Sequence, residues 1–144
     1  MSTTMSVAAA GRLRGAGQRL TGNRQALLEI LERADRPLTI HDIVQSRPDL
    51  AQSSVYRNLV VLEQSGIVRR VMTGGDFARY ELDEDLTDHH HHLVCTSCGS
   101  VEDLALPKDV EETIGRAARR AASRRGFVEA DHRLDVTGLC KNCR

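Results

Sequence analysis

The ten residues HHHHLVCTSC, His89 to Cys98, place four histidines beside the first of two Cys-x-x-Cys motifs. The second motif, Cys140 to Cys143, follows after 41 intervening residues. Two such pairs supply four thiolates, the closed tetrahedral set of a structural zinc site. Disulfides are the alternative, but no secretion signal is recognised and cytosolic thiols stay reduced. The spacing therefore predicts a structural zinc on Cys95, Cys98, Cys140 and Cys143.

The four histidines run into a predicted strand at residues 90–95. Because successive strand side chains alternate faces, His90 and His92 share one face, and His89 and His91 share the other. One tetrad can therefore supply ligands to two metal sites. We expect acids and His132 to complete these sites, because imidazoles with carboxylates suit exchangeable Fe(II), Mn(II) or Zn(II).

Two alternatives for the tetrad are weaker. An expression tag would be longer and would lie at a terminus. A catalytic zinc would be accompanied by a His-Glu-x-x-His helix or by a nucleophile with an orienting base, and the sequence has neither. We therefore expect that the chain is not an enzyme.

The first half of the chain has the apolar spacing of three helices. Thr21 and Thr39 are expected to cap the first two, and Pro48 ends the second. The third begins near Ser53 and ends at Gly66. Residues 1–17 are expected to form a loose arm with at best a short helix around Leu13. The predicted buried residues are Leu27, Ile30, Leu31 and Ala34; Ile40, Ile43 and Val44; and Val55, Leu59 and Leu62.

After the third helix the apolar period falls toward two. Residues 67–72 and 77–82 are predicted strands, joined by a turn at Thr73 to Asp76. Three helices and a hairpin predict a winged helix, whose third helix enters the DNA major groove. A winged helix that docks on protein is the alternative. The candidate DNA contacts are Ser54, Tyr56, Arg57 and Asn58 on the helix, with Arg69, Arg70 and Arg79 on the wing.

The charge is unevenly distributed, although the net charge is zero. Residues 1–80 hold 11 arginines against 7 acids, and residues 81–144 hold 9 basic residues against 13 acids. This asymmetry favours nucleic-acid binding by the first half. No apolar run approaches the length of a membrane span, so we expect a soluble, cytoplasmic protein. Aromatic residues, at 3%, are too few for a stacking platform that binds single strands.

The second half predicts a small α+β domain. Strands are expected at 90–95, 100–104 and 127–139, in a three-stranded antiparallel sheet. A helix from Pro107 to Arg125 follows the second strand, with Gly126 after its end. The acidic residues 83–88 separate this domain from the winged helix and are predicted to form a hinge. The predicted buried face of the helix consists of Val110, Ile114, Ala117, Ala118 and Ala121.

In combination, these motifs resemble the ferric uptake regulator family of metal-sensing bacterial repressors. The motifs are SVYRNL at 54–59, His-x-His before LVCTSCG, and the closing Cys-x-x-Cys. The resemblance covers about residues 12–144. It implies an α+β chain with a winged-helix DNA-binding domain at 1–82, a hinge at 83–88 and a dimerisation domain at 89–144. It also implies that metal at the hinge sets the relative orientation of the two DNA-binding lobes.

The resemblance implies site residues as well. The structural zinc falls on the four cysteines named above. The hinge sensing site falls on Glu81, His90, His92 and Asp103. A second site in the dimerisation domain falls on His89, His91, Glu111 and His132.

Three positions depart from the family pattern. Iron-type members commonly have a histidine where this chain has Arg36-Pro37, and the nearest histidine is His41. Zinc-sensing relatives have a Cys and an Asp where Asp83 and Arg69 stand. The sulfur-free sensing set favours Fe(II) over Zn(II), and Mn(II) is also compatible.

The sequence thus predicts a homodimeric, metal-dependent repressor of metal homeostasis. Its partner is double-stranded operator DNA, and we expect no membrane and no small-molecule substrate. Two alternatives stay open: a peroxide-sensing regulator of the same family, and a cytosolic zinc-binding protein whose winged helix binds protein.

Overall fold

The computed structural model describes residues 1–72 and 77–144, so the predicted turn at Thr73 to Asp76 lies outside the described residues. The chain divides into two compact units, Met1–Asp88 and His89–Arg144. Within the described ranges, no helix has both the length and the apolar character to cross a membrane.

The first unit begins with four helices, α1 (Thr3–Gly15), α2 (Gly22–Arg33), α3 (Ile40–Ser46) and α4 (Gln52–Gln64). The two predicted caps are confirmed. The Thr21 hydroxyl accepts from the Arg24 N–H, and Thr39 forms a reciprocal capping box with Asp42. Helix α4 turns into the next strand at Gly66, whose φ of +67° favours glycine.

A three-stranded antiparallel sheet completes this unit. It consists of β1 (Leu38–Thr39), β2 (Val68–Val71) and β3 (Arg79–Leu82), in the order β1-β3-β2. A short 3₁₀ helix, Glu84–Leu86, follows β3 inside the predicted hinge. The core lies between the helices and this sheet. Predicted buried residues that are buried there include Leu27, Leu31, Ile43, Val55, Leu59 and Leu62.

Helix α1 corrects the expectation of a loose N-terminal arm. It runs for 13 residues, is capped by the Ser2 side chain, and buries Met5, Ala9 and Leu13 in the core of the first unit. These residues are four apart, so each turn of the helix contributes one buried side chain. Such a narrow apolar stripe, in a segment rich in alanine and glycine, is difficult to recognise by periodicity.

The second unit contains β4 (His91–Cys95), β5 (Val101–Leu104), α5 (Lys108–Ser123) and β6 (Asp135–Gly138). The α+β fold class is confirmed, but this sheet is mixed instead of fully antiparallel. Its order is β5-β4-β6, with β4 antiparallel to β5 and parallel to β6. A parallel pair needs a long crossover, and the segment that contains α5 provides it. The last strand is also shorter than the predicted 127–139.

The predicted buried face of α5 is largely exposed within this chain. Val110 is 39% exposed, and Ala117 and Ala121 are exposed. In α5 itself, only Gly115 is buried. The spacing predicts that this helix has an apolar face, but it does not determine what covers that face.

Candidate metal centres and DNA-binding helix

The four cysteines come together at one end of the second sheet. Cys95 ends β4, Cys98 follows in the next turn, and Cys140 and Cys143 lie after β6. The Sγ atoms of Cys98 and Cys140 are 3.8 Å apart, and none of the four cysteines forms a disulfide. Thiolates about 2.3 Å from a tetrahedral zinc are about 3.8 Å from one another, whereas disulfide sulfurs lie about 2.05 Å apart. The donor set therefore fits a tetrahedral metal.

The thiols of this cluster differ in acidity. Backbone N–H groups of Cys140, Cys98 and Ser97 lower the pKa of Cys95 to about 6. The Ser100 hydroxyl and backbone N–H lower the pKa of Cys98. The Ser97 side chain lowers the pKa of Cys143, but the neighbouring Cys140 and Cys98 outweigh it and raise the value to about 11. Hydrogen bonds thus stabilise the thiolate forms of Cys95 and Cys98, and the thiolate is the form that binds metal.

A second cluster brings three imidazoles to one carboxylate. The Nε2 atoms of His89, His91 and His132 lie 3.0, 2.8 and 2.6 Å from the Glu111 carboxylate oxygens. His91 is the first residue of β4 and is 1% exposed. Glu111 lies in the first turn of α5. All four predicted residues of the dimerisation-domain site are therefore adjacent.

Three buried atoms of this cluster lack the expected hydrogen bond. The His91 Nδ1, the His132 Nε2 and the Glu111 Oε1 have no hydrogen-bond partner among the described residues, although the last two are only 2.6 Å apart. Burial raises the pKa of Glu111, but the neighbouring histidines, His91 first, together outweigh it, and the net pKa is lowered. An ionised carboxylate and converging ring nitrogens fit a divalent cation.

The other two histidines lie with Asp103. The His90 Nε2 is 3.9 Å from the Asp103 Oδ1, and the His90 and His92 ring centroids are 5.4 Å apart. His92 is directly opposite Asp103 in the β4–β5 register. The predicted alternation of the tetrad is therefore visible in the second unit, with one pair in each cluster.

One acid near His92, Asp135, was not predicted from the sequence. The Asp135 Oδ1 lies 3.5 Å from the His92 Nδ1, because β6 pairs with β4 in parallel and places these residues side by side. His92 thus has a carboxylate on each neighbouring strand. An assumed antiparallel sheet gives a different register, so the sequence alone did not identify Asp135.

Glu81, the fourth predicted sensing ligand, lies on β3 of the first unit and is 7% exposed. Its carboxylate accepts from the Arg69 Nε, and the Arg69 Nη1 donates to Glu84. Burial lowers the pKa of Arg69, but Glu81 and Glu84 outweigh it and raise the pKa. The Arg69 side chain is 10% exposed. Internal carboxylates thus already hold the Arg69 guanidinium, and the DNA contact of this residue stays a prediction.

The predicted recognition helix α4 buries Val55, Leu59 and Leu62 and presents Tyr56 and Arg57 to solvent. Tyr56 is 52% exposed. This face has the amphipathic arrangement that groove binding requires.

The other two predicted contacts on α4 are hydrogen-bonded within the unit. The Asn58 amide donates to the Ser54 carbonyl at 2.9 Å and accepts from the Arg24 Nε at 3.0 Å. On β2, Arg70 pairs with Glu63 at 3.1 Å and lies over the Tyr80 ring. Ser54 and Asn58 therefore orient α4 against α2. Of the four predicted contacts on α4, Tyr56 and Arg57 are the two exposed ones.

The comparisons with known proteins match this architecture. The family model for the ferric uptake regulator family matches residues 15–137. The chain belongs to the ferric uptake regulator family. The resemblance found in the sequence is thereby confirmed, and the family consists of transcriptional regulators, not enzymes.

Individual relatives agree with this membership. The peroxide-responsive repressor PerR of Staphylococcus aureus is 30% identical over 136 residues, which cover 92% of this chain and 86% of the relative. The Vibrio cholerae ferric uptake regulator has a TM-score of 0.68 at 26% identity, covering 89% of this chain and 96% of that one. The Pseudomonas aeruginosa regulator with manganese also has a TM-score of 0.68, at 27% identity, covering 91% and 96%.

Proposed function

We propose that this family member is a homodimeric repressor that binds operator DNA when a regulatory metal is bound. The observation that carries the proposal is the division of one histidine tetrad between two ligand clusters in the second unit. In this proposal the four cysteines hold a structural zinc. Glu81, His90, His92 and Asp103 form the sensing site, and His89, His91, Glu111 and His132 form a second, stabilising site. Fe(II) or Zn(II) is the regulatory metal, with Mn(II) also compatible.

Operator recognition is assigned to α4 of the first unit. Its exposed Tyr56 and Arg57 are supported from behind by the hydrogen bonds of Ser54 and Asn58. A guanidinium on such a helix can donate two hydrogen bonds to a guanine edge. The positive balance of residues 1–80 adds long-range attraction to phosphates.

Dimerisation is assigned to the second unit. Its exposed large apolar side chains are more than a small monomeric domain needs to leave in water. Burying them against a second copy would remove that apolar surface from solvent. They include Leu93, Val110, Phe127, Val128, Val136 and Leu139.

The regulatory metal, when bound, supplies a positive centre shared by carboxylate and imidazole ligands. For the population to move from about 1:99 to 99:1 in favour of the DNA-binding form, ligation must favour that form by about 5.5 kcal/mol. The second site lies wholly within the second unit, so its ligands stabilise that unit more than they switch it.

The test is DNA binding by the full-length protein with and without added metal. Binding to the DNA upstream of the protein's own gene is measured by fluorescence anisotropy, anaerobically, with Fe(II), Mn(II) or Zn(II). We expect metal to tighten binding. His90→Ala should abolish the metal response while leaving the four-cysteine zinc in place, and His89→Ala should only weaken it.

Two outcomes would overturn this proposal. A metal response that is lost in His89→Ala but kept in His90→Ala would mean that the sensing and stabilising sites are assigned to the wrong pairs of histidines. Failure to bind any upstream DNA, with binding to a protein partner instead, would favour a zinc-binding protein with a protein-docking winged helix.

Peroxide sensing is the second candidate, because a relative at 30% identity is a peroxide-responsive repressor. In that case, oxidation of a ligand histidine would release DNA. Mass spectrometry after peroxide treatment of Fe(II)-loaded protein should show one added oxygen on a tetrad histidine or on His132. Mn(II)-loaded protein, treated in the same way, is the control.

A further inference from the structure

The four acids of the segment ELDED, residues 81–85, are ion-paired with two arginines of the first unit. Arg69 on β2 pairs with Glu81 and Glu84. Arg12 on α1 pairs with Asp83 at 3.8 Å and with Asp85 at 3.2 Å. Three residues of the predicted hinge, Asp83, Glu84 and Asp85, are therefore ion-paired with the first unit, as is Glu81 on β3.

The Arg69 pairings are the more buried of the two sets. The side chains of Arg69, Glu81 and Glu84 are 10%, 9% and 17% exposed. At this burial, water screens the charges weakly, so the attraction between the Arg69 guanidinium and the two carboxylates is strong. One guanidinium is shared by two carboxylates, and its planar fork allows it to donate to both at once.

We propose that Arg69 is an internal cation that competes with the regulatory metal for Glu81 and so sets the metal concentration at which the protein responds. This inference rests on the proposed function, in which Glu81 is a metal ligand. A divalent ion on the Glu81 carboxylate meets the positive charge of Arg69 at close range. Ligation must therefore either displace the guanidinium or tolerate its repulsion.

Glu84 has a distinct role in this arrangement. When the metal binds Glu81, Arg69 still has a half-buried carboxylate partner in Glu84. Removing that partner leaves Arg69 dependent on Glu81, so metal binding becomes less favourable. Arg69 and Glu84 therefore affect metal affinity in opposite directions, although both support the same ion-pair network.

The experiment uses full-length protein with its structural zinc in place, and Mn(II) as a redox-stable probe. The Kd is measured by isothermal titration calorimetry, and the zinc content by elemental analysis. Arg69→Gln should bind Mn(II) about tenfold more tightly, since one charge-assisted hydrogen bond contributes on this scale. Glu84→Gln should bind it several-fold more weakly. Arg47→Gln, which breaks the exposed pair with Asp49, is the matched control and should leave the Kd unchanged.

Opposite changes in Mn(II) affinity in Arg69→Gln and Glu84→Gln distinguish competition from a structural role. If Arg69 only positioned Glu81 or stabilised the fold, both variants would weaken Mn(II) binding, and that result would overturn the inference. Equal Kd values for Arg69→Gln and wild type would also overturn it. Melting curves identify any variant that fails to fold, and Arg69→Lys then takes the place of Arg69→Gln. The lysine ammonium group keeps the positive charge but lacks the planar fork that donates to Glu81 and Glu84 at once. It therefore holds Glu81 less firmly, and tighter Mn(II) binding is again expected.

A separate variant isolates the proposed function from this inference. If Glu81→Gln leaves Mn(II) affinity and metal-stimulated DNA binding unchanged, the assignment of Glu81 to the sensing site is wrong. If Glu81→Gln abolishes both while Arg69→Gln has no effect, the sensing site stands and the competition is wrong.

Discussion

The two units differ in what they bury. The first unit buries a continuous cluster of apolar side chains contributed by all four of its helices and by its sheet. In the second unit, the buried positions include His91 and His92, and the buried apolar residues are Val94, Cys95 and Val101. The first unit thus has a hydrophobic core of its own, whereas potential metal ligands occupy the centre of the second. We expect the first unit to depend on packing and the second on ligation.

The largest effect is expected from removing one zinc ligand. Structural zinc sites in small peptides contribute about 10–16 kcal/mol of apparent free energy, so Cys98→Ser should lose zinc and unfold or monomerise the second unit. Tyr56 and Tyr80, the two tyrosines of the chain, both lie in the first unit. Their fluorescence should therefore stay native while circular dichroism and size-exclusion chromatography change. About one zinc per chain in a dimeric Cys98→Ser protein would contradict the structural assignment.

The converse test targets the apolar core. Leu59 is fully buried on α4, and Leu59→Ala should lower the free energy of unfolding of the first unit by about 2–5 kcal/mol. Urea unfolding followed by tyrosine fluorescence measures this change, and zinc content should be unaffected. Val7→Ala is the control, because Val7 is 64% exposed and its truncation should change stability by less than about 0.5 kcal/mol. Equal effects of the two substitutions would contradict the packing argument.

The features that the sequence predicted correctly are local. The Thr21 and Thr39 caps depend on side-chain bonds to backbone a few residues away, and the buried face of α4 follows from helical spacing. The alternation of the four histidines, two just before β4 and two at its start, follows from strand geometry alone. These interactions involve neighbours in sequence, so composition and spacing are sufficient to infer them.

The features that were missed depend on distant partners. The position of Asp135 beside His92 requires the parallel β4–β6 register. The pairing of Arg69 with Glu81 requires the β2–β3 register, in which the two residues are opposite each other. Helix α1 packs through Met5, Ala9 and Leu13 into a core formed with helices and strands that follow it in the chain. Spacing along the chain does not contain that information.

DNA affinity should depend on the first unit. Arg57→Ala should weaken operator binding by about 1–3 kcal/mol if the guanidinium reads a base, and affinity should fall steeply with added salt. Arg124→Ala, at the end of α5 in the second unit, is the control and should change affinity much less. Anisotropy titrations at several salt concentrations compare them. Unchanged affinity in a dimeric Arg57→Ala protein would remove α4 from the recognition role.

The smallest effect concerns pH and the cap of α3. Burial raises the pKa of Asp42, but Arg36 and Thr39 outweigh it, so the folded pKa is below the unfolded one. The ionised carboxylate therefore stabilises the fold above the unfolded pKa, near 3.9, and this contribution is lost as pH falls through the folded value. Asp42→Asn should lower stability by about 1 kcal/mol at pH 7. In tyrosine-monitored unfolding, a difference that persists undiminished below pH 3 would contradict this role.

Strand β4 has only five residues, His91–Cys95, yet it lies at the centre of its sheet and contributes to all three ligand clusters of the second unit. Side chains on a strand alternate with strict parity. A substitution in this segment damages one cluster, whereas insertion or deletion of one residue before Leu93 would exchange odd and even positions and misdirect both histidine pairs together. We therefore expect this segment to tolerate many changes of residue type but almost no change of length, and homologues that retain both clusters should keep the count from His89 to Cys95 fixed.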